Sequence, residues 1–182
     1  PFEMIDKIDA GGLADRLAGE GRPVPALLEA ARGKTFYREE GERLSILGFD
    51  GEYREVDLPD GVWMLADIKR GRQPVKSNAS ASIWDAGDGV AVLEFHSKMN
   101  ALDEGSIEMI RQAAKIDKSG FRALVIGNDA DNFSVGANVG VALFGANAAM
   151  WPLIENGVAE GQKAMQALKN SPFPVVAAPA GM

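Results

Sequence analysis

The stretch SIWDAGDGVAVLEF, residues 82–95, decides the fold of this chain. Two apolar runs, Ser82 to Ala86 and Val90 to Phe95, lie on either side of the turn Gly87-Asp88-Gly89. Apolar runs separated by a short glycine-containing turn are typical of a β-hairpin. The stretch therefore predicts two antiparallel strands joined by a tight turn.

Downstream of this hairpin, helix and strand patterns alternate. Asp103 can cap a helix from Glu104 to about Ile116, because the apolar residues that follow it share one face. The run FRALVIG, residues 121–127, predicts a buried strand; residues 147–169 predict a helix, and Pro174 to Ala178 predict a last strand. The order β-β-α-β-α-β indicates an α/β layer structure.

The part of the chain before residue 81 has a different composition. Residues 1–32 predict three short helices, with Gly11 and Gly12 separating the first two. Residues 44–56 predict two short strands joined by the turn Asp50-Gly51. The polar run GRQPVKSNAS, residues 71–80, favours a linker.

Composition excludes several classes of function. The 182 residues carry a formal net charge of −7 without a basic block, which argues against nucleic-acid binding. The chain has no cysteine, which removes disulfides, thiolate metal sites and thiol nucleophiles. The single histidine, His96, excludes a metal site built from several histidines. No apolar run approaches the roughly 20 residues that span a bilayer, so we expect no membrane insertion.

Both ends of the sequence indicate a segment of a longer protein. The chain opens with PFEMIDKIDAG, which has neither an initiating methionine nor the order of a signal peptide. It closes on PVVAAPAGM, within a strand-like run. We therefore expect a piece of a larger, cytoplasmic protein.

Two loops are candidates for chemistry. His96 to Asp103 ends a strand and begins a helix, and such chain ends gather backbone groups that can hold a ligand. Asn132 to Asn138 follows a strand, and its Gly136 permits a close backbone approach. If a helix begins near Ala137, that N–H has no intrahelical partner and can stabilise a developing oxyanion. The alternatives are a solvated loop with an N-cap and a glycine turn without a ligand.

Three motifs in order change that balance. They are Met99-Asn100-Ala101-Leu102, Phe133-Ser134-Val135-Gly136-Ala137-Asn138, and the run from Pro174 to Gly181, PVVAAPAG. Residues 81–182 therefore resemble the first half of the enoyl-CoA hydratase/isomerase (crotonase) family. Asn138 stands where an aspartate is usual, which keeps the backbone donor but changes what the side chain binds.

The resemblance implies an acyl-CoA thioester substrate and an incomplete crotonase-like domain. The backbone N–H of Ala137 matches one of the family's two oxyanion donors; the second donor and the acid/base glutamates would follow Met182. The substrate-binding positions implied are Asn100, Ala101, Ser134, Val135, Gly136 and Asn138. No metal is implied.

The N-terminal part, PFEMIDKIDAGGLADRL and GRPVPALLEAARGKTFYR, is similar to the end of the helical C-terminal domain of 3-hydroxyacyl-CoA dehydrogenases. This implies a bifunctional dehydrogenase/hydratase of fatty-acid β-oxidation. Its expected parts are residues 1–38, the short all-helical end of the dehydrogenase; residues 39–80, a connector; and residues 81–182, half a crotonase domain. NAD would bind the parent dehydrogenase domain and not this segment, which has no glycine fingerprint between a strand and a helix.

Other functions remain open. The same fold can carry isomerisation or another enolate reaction, and the segment can instead be a non-catalytic docking or oligomerisation module. A homo-oligomer is possible, trimer-like or non-native through truncation. Glu94, Glu155 and Glu160 are expected to point outward rather than to act as the acid or base. The segment alone is expected to be inactive.

Overall fold

The chain divides after Trp63. In the computed structural model, which describes residues 2–41, 43–56 and 58–181, two compact units are Pro1–Trp63 and Met64–Met182. The outer bounds of the predicted parts, residues 1 and 182, lie outside the described residues.

Unit 1 combines helices with a small antiparallel sheet. Its helices are α1 (Phe2–Ile8), α2 (Ala10–Gly19) and α3 (Ala26–Ala30), and its strands are β1 (Tyr37–Glu40), β2 (Arg43–Leu47) and β3 (Tyr53–Glu55). The strands lie in the order β1-β2-β3, each antiparallel to its neighbour. Three short helices were predicted here, and the structure confirms them. The helices and the sheet share one core: Ala10, Ala14, Leu28, Ala31, Phe36 and Leu47.

The break between α1 and α2 falls at Asp9, rather than at the predicted Gly11-Gly12. The Asp9 carboxylate accepts hydrogen bonds from the N–H groups of Gly11 and Gly12, both at 3.0 Å. These amides belong to the first turn of α2, where a helix has no internal acceptors. The two glycines therefore lie inside the helix, and the aspartate begins it.

Unit 2 contains the predicted α/β pattern. Its helices are α4 (Leu65–Lys69), α5 (Glu104–Ala113), α6 (Val139–Asn147) and α7 (Trp151–Lys169); its strands are β4 (Lys76–Ser77), β5 (Ala81–Gly87), β6 (Val90–Phe95), β7 (Ala123–Gly127) and β8 (Val175–Ala178). The hairpin, the strand 121–127, the helix 147–169 and the last strand are confirmed within a few residues. Among the described residues, none of the helices combines the length and apolar character needed to cross a bilayer.

The sheet of unit 2 has the order β4-β5-β6-β7-β8. Strands β4 to β6 are antiparallel, whereas β6, β7 and β8 run parallel. Helices α5 and α7 pack together, and their buried residues join one face of the sheet in the main core: Ala81, Ile83, Ala91, Leu93, Phe95, Met109, Ile110, Ala113, Ala114, Ile116, Leu124, Ala164, Leu168 and Phe173.

Residues 39–80, expected to be a connector, are divided between the two units. The strands β1–β3 share the core of unit 1, where Phe36 and Leu47 are buried. In unit 2, Leu65 packs with Trp84 and Val92, and β4 pairs with β5. The two strands predicted within residues 44–56 correspond to β2 and β3. Their share in the core of unit 1 depends on helix residues that are distant in sequence.

Glu94 is buried, although alternation along β6 predicted an outward carboxylate. It lies on the sheet face that α4 covers, and only 7% of its surface is exposed. Lys69 Nζ donates to its Oε1 at 2.6 Å, and Trp84 Nε1 donates to its Oε2 at 2.9 Å. The charge is compensated by this ion pair and by the indole hydrogen bond, as a buried carboxylate requires.

Asp103 begins α5, as predicted. Its Oδ1 accepts from the N–H of Ser106 at 2.8 Å, and its Oδ2 accepts from the hydroxyl of Ser80 at 2.7 Å. Burial raises the pKa of the Asp103 carboxyl, but hydrogen bonds from the Ser106 N–H, the Ser80 hydroxyl and the Ser106 hydroxyl outweigh it. The net pKa lies below the ordinary value of 3.8. A carboxyl with a lowered pKa stabilises the fold at neutral pH, and that stabilisation is lost as the pH falls through the folded-state pKa.

Asp103→Asn removes the charge and keeps a side-chain oxygen that can cap α5. We expect the free energy of unfolding of the wild type to fall more steeply than that of the variant between about pH 5 and pH 3. Asp103→Ala also removes the cap and should cost about 0.5–2 kcal/mol at pH 7. Urea unfolding at several pH values measures both effects. Glu108→Gln, an exposed change on the same helix, is the control; an equal change in its pH slope would contradict the assignment to Asp103.

Candidate functional site

The candidate site lies at one edge of the parallel part of the sheet. Because β6, β7 and β8 run in the same direction, their carboxyl ends share an edge. The loop after β6, residues 96–103, and the loop after β7, residues 128–138, meet there in a parallel bridge between Leu102 and Ala137. Ligands of α/β sheets commonly bind outside the carboxyl ends of the strands.

Asn128 joins the two strand ends. Its Oδ1 accepts from the N–H of Phe95 at 2.7 Å, and its Nδ2 donates to the carbonyl of Phe133 at 2.7 Å. Only 5% of Asn128 is exposed. The side chain therefore fixes the loop after β7 to the last residue of β6. The sequence interpretation treated residues 128–132 as a polar loop and missed this role.

Asn100 makes a second tie between the loops. It is buried, and its Nδ2 donates to the carbonyl of Asn132 at 2.7 Å, while its own carbonyl accepts from the hydroxyl of Ser134 at 2.7 Å. Both Met99 and Asn100 have positive φ, 56° and 52°. This left-handed backbone is unusual for residues other than glycine, and the two ties hold it. The side chains of Asn100 and Ser134, predicted to bind substrate, are thus used within the protein.

The backbone at Gly136 to Asn138 leaves one amide unpaired. Leu102 N–H donates to the carbonyl of Gly136 at 2.8 Å, and Asn138 N–H donates to the carbonyl of Leu102 at 3.0 Å. Both hydrogen bonds of this parallel bridge are made by the neighbours of Ala137, through the carbonyl of Gly136 and the N–H of Asn138. The N–H and C=O of Ala137 itself therefore point away from Leu102. Among the described residues, no acceptor pairs with the Ala137 N–H.

The helix that follows begins later than the sequence suggested. Asn138 is the N-cap of α6, and its Oδ1 accepts from the N–H of Gly140 at 3.2 Å. Ala137 therefore precedes the cap, and its N–H is unpaired because of the bridge with Leu102 rather than because it opens a helix. Gly136, with φ of 85°, supplies the left-handed turn before it, and its N–H donates to the Ser134 hydroxyl at 3.1 Å.

The other predicted positions differ in whether their hydrogen-bonding groups have partners within the protein. Ala101 uses its N–H for the carbonyl of Lys98 at 3.2 Å, and its carbonyl accepts from the hydroxyl of Ser97 at 2.6 Å. Val135 is exposed, and its N–H has no partner among the residues that the structure describes. The Nε2 atom of His96 lies 2.9 Å from the hydroxyl oxygen of Ser82.

Two of the glutamates considered from the sequence are engaged in ion pairs. Glu94 is paired with Lys69, and Glu160 is paired with Arg111 and Lys163. Ala137 is exposed, and it lines neither of two hollows among the described residues. One is in unit 1, and the other, of about 250 Å³, is lined by Ile126, Leu168, Lys169, Ser171, Phe173 and Val175.

Across residues 2–41, 43–56 and 58–181, no three or more acidic or histidine side chains come together as a metal site. The glycines of Gly87-Asp88-Gly89 lie in the hairpin between the antiparallel strands β5 and β6. A dinucleotide site of the glycine-fingerprint type needs a strand, a turn and a helix, so this turn does not fit NAD.

Comparison with known proteins gives matches for parts of longer chains. A curated protein of Bacillus subtilis (strain 168), named probable 3-hydroxyacyl-CoA dehydrogenase, is 36% identical over 186 residues, covering 100% of this chain and 23% of that protein. An enoyl-CoA hydratase structure from Shewanella pealeana ATCC 700345 is 24% identical with a TM-score of 0.47, covering 54% of this chain and 38% of that one. An enoyl-CoA hydratase/isomerase structure from Xanthobacter autotrophicus Py2 is 20% identical with a TM-score of 0.47, covering 58% and 40%. No protein-family model matches.

The chain corresponds to only part of each protein that it matches. The chain spans about a quarter of the length of the curated relative it matches. It spans about two fifths of each of the two solved structures. The activity of a complete enzyme is therefore a matter for proposal.

Asn128→Ala should destabilise unit 2, because it leaves the buried N–H of Phe95 and the carbonyl of Phe133 without partners. We expect a loss of about 1–3 kcal/mol in the free energy of unfolding, together with faster hydrogen exchange at Phe95. Urea unfolding and amide exchange measure these effects. Asn147→Ala changes an exposed asparagine and is expected to shift stability by less than about 0.5 kcal/mol. Equal losses of stability in Asn128→Ala and Asn147→Ala would contradict the role of Asn128 in joining the two strand ends.

Proposed function

We propose that unit 2 contributes one oxyanion donor, the backbone N–H of Ala137, to an acyl-CoA thioester site of the crotonase kind. The observation that carries the proposal is that the Ala137 N–H has no acceptor within the part of the chain that the structure describes. A thioester oxygen gains negative charge when its neighbouring carbon becomes enolate-like, and a fixed N–H donor stabilises that charge. The motifs at residues 99–102, 133–138 and 174–181 support the same assignment.

The donor is held in place by the rest of the site. Asn128 and Asn100 fix the loop after β7 to the end of β6, and the bridge to Leu102 directs the Ala137 N–H away from that contact. A donor that is positioned before the substrate arrives does not need to reorganise during the reaction. Val135 and Gly136 would line the thioester path through their backbone. The side chains of Asn100, Ser134 and Asn138 serve to position the loop.

We further propose that the complete protein is a bifunctional 3-hydroxyacyl-CoA dehydrogenase and enoyl-CoA hydratase of fatty-acid β-oxidation. The name of the Bacillus subtilis relative supports the dehydrogenase part, and the three motifs support the hydratase part. Residues 1–38 would belong to the dehydrogenase and residues 81–182 to the crotonase-like domain. Residues 39–80 would join these two parts. The strands β1–β3 belong to unit 1, whereas α4 and β4 belong to unit 2. NAD would bind elsewhere in that protein.

Two other functions of unit 2 are the alternatives to this proposal. Enoyl-CoA isomerisation or another enolate reaction would use the same donor, and the position of the carboxylates would distinguish it from hydration. A non-catalytic module for self-association is favoured by apolar residues that α6 exposes.

The Ala137 donor can be tested on the 182-residue chain by NMR titration with butyryl-CoA. The Ala137 amide signal should shift on binding. Ala137→Pro, which removes the N–H, should weaken binding about three- to tenfold, since one hydrogen bond contributes about 0.5–1.5 kcal/mol. Ala137→Gly keeps the N–H and is the matched control. A dissociation constant that Ala137→Pro leaves unchanged, in a variant with a wild-type spectrum elsewhere, would refute the donor.

Catalysis by the isolated chain is a separate question. The chemistry needs two converging donors and a carboxylate, and only one of these groups is assigned here. We therefore expect no hydration of crotonyl-CoA above the rate without protein, as measured by loss of absorbance of the enoyl thioester. Measurable turnover by the purified chain would contradict this expectation and leave the Ala137 donor standing.

A further inference from the structure

Residues 64–80 contact both loops of the candidate site. This segment contains α4, β4 and the short connection, residues 78–80, that joins β4 to β5. It precedes residues 81–182, which were expected to form the crotonase-like part, but it belongs to the same compact unit. The segment therefore supplies contacts to the site that the three sequence motifs do not include.

Ser80 holds the loop after β6 at both of its ends. Where the loop begins, the carbonyl of Ser80 accepts from the N–H groups of His96 at 2.9 Å and Ser97 at 3.2 Å. Where the loop ends, the hydroxyl of Ser80 donates to Asp103 Oδ2 at 2.7 Å, and only 8% of Ser80 is exposed. Asp103 directly follows Leu102, which makes the bridge to the second loop. Ser80 therefore helps to set the position of that bridge.

Asn78 and Gly105 make the packing around Ser80 close. Asn78 Oδ1 accepts from the N–H groups of Ser80 at 2.9 Å and Ala81 at 3.0 Å, and its Nδ2 donates to the carbonyl of Gly105 at 2.9 Å. A Cβ atom at Gly105 would lie only 2.7 Å from the hydroxyl oxygen of Ser80. A larger residue at this position of α5 would therefore displace the hydroxyl that donates to Asp103.

Asp129 connects α4 with the loop after β7. The residue that precedes α4, Met64, makes no side-chain hydrogen bond to the start of the helix. Asp129 supplies an acceptor from a distant part of the chain, because its Oδ2 accepts from the N–H of Ala66 at 3.1 Å. Aspartate is well suited to pair the free N–H groups in the first turn of a helix. Since Asp129 directly follows Asn128, the start of this loop is held by two neighbouring side chains.

Helix α4 is itself fixed to the sheet. Leu65, at its start, is buried and packs with Trp84 of β5. Lys69, at its end, donates to the buried carboxylate of Glu94 on β6 at 2.6 Å. Both ends of this short helix are thus attached to central strands. The hydrogen bond from Ala66 therefore ties the loop after β7 to a fixed element.

We propose that residues 64–80, together with Asp129, position the Ala137 donor, and that Ser80 and Asp129 are the positioning residues. Ser80 holds the loop that carries Leu102, α4 holds the loop that carries Ala137, and the bridge between Leu102 and Ala137 joins the two loops. A donor whose supporting loops are fixed does not need to reorganise during the reaction. The acyl-CoA part of the chain therefore includes α4 and β4. This inference rests on the proposed function of the Ala137 N–H.

Amide hydrogen exchange of the 182-residue chain without ligand tests the positioning role. Ser80→Ala and Asp129→Ala each remove one hydrogen bond to a site loop. Both variants should speed exchange of the two bridge amides, those of Leu102 and Asn138, about three- to tenfold, as expected for the loss of one hydrogen bond. Asp129→Asn keeps an oxygen that can accept from α4 and should retain the wild-type rates.

Two exposed residues outside the site give matched controls. Ser119→Ala and Asp117→Ala make the same chemical changes and should leave the bridge amides unchanged. Gly105→Ala is an independent check, because alanine normally favours a helix over glycine. Here its Cβ atom would displace the Ser80 hydroxyl, so exchange at Leu102 should accelerate as in Ser80→Ala.

Butyryl-CoA titration distinguishes positioning of the donor from a general loss of structure. Ser80→Ala alone should weaken binding about three- to tenfold. In the Ala137→Pro variant, which has no donor to position, Ser80→Ala should weaken binding no further. Equal weakening in both backgrounds, or unchanged exchange of the bridge amides in Ser80→Ala and Asp129→Ala, would overturn the proposal. A wild type that does not bind butyryl-CoA would refute the proposed function instead, and the exchange rates would still decide the positioning role.

Discussion

The geometry of the candidate site depends on the buried amide of Asn128. Neighbouring parallel strands leave the loops at their carboxyl ends free to move independently. Asn128 removes that freedom because one side chain accepts from the end of β6 and donates into the loop after β7. Away from water, such a fully paired polar group is costly to break. The position of the loop is therefore set by the sheet.

The unpaired N–H of Ala137 and the apolar α6 are consecutive features of the same chain. The loop uses its serine and asparagine side chains to pair its polar groups, and Ala137 is left out because of the bridge to Leu102. The uncharged segment that follows would exclude water once it is covered by a ligand or a protein. An N–H donor interacts more strongly with a negative oxygen when water is excluded. The Ala137 N–H is therefore followed directly by an apolar helix that can help to exclude water from it.

Strong local patterns made most of unit 2 predictable. The hairpin 82–95, the strand near 121–127 and the Asp103 cap each depend on neighbouring residues, and the structure confirms them. The full burial expected of that strand is found only at Leu124. Within residues 71–80, expected to be a linker, β4 was not predicted, because it covers only the two polar residues Lys76 and Ser77. The roles of Asn128 and Glu94 depend on residues distant in sequence. An asparagine directly after a buried strand was the available signal for the first; the second had none.

The cluster of Glu94, Lys69 and Trp84 restricts how this sequence can change during evolution. Replacing Lys69 alone would leave the buried Glu94 carboxylate without its ion-pair partner. Replacing Glu94 alone would leave the indole N–H of Trp84 without an acceptor. A neutral substitution route therefore requires nearly simultaneous changes at positions in three separate elements, α4, β5 and β6. Descendants of this sequence should inherit the three residues together or lose them together.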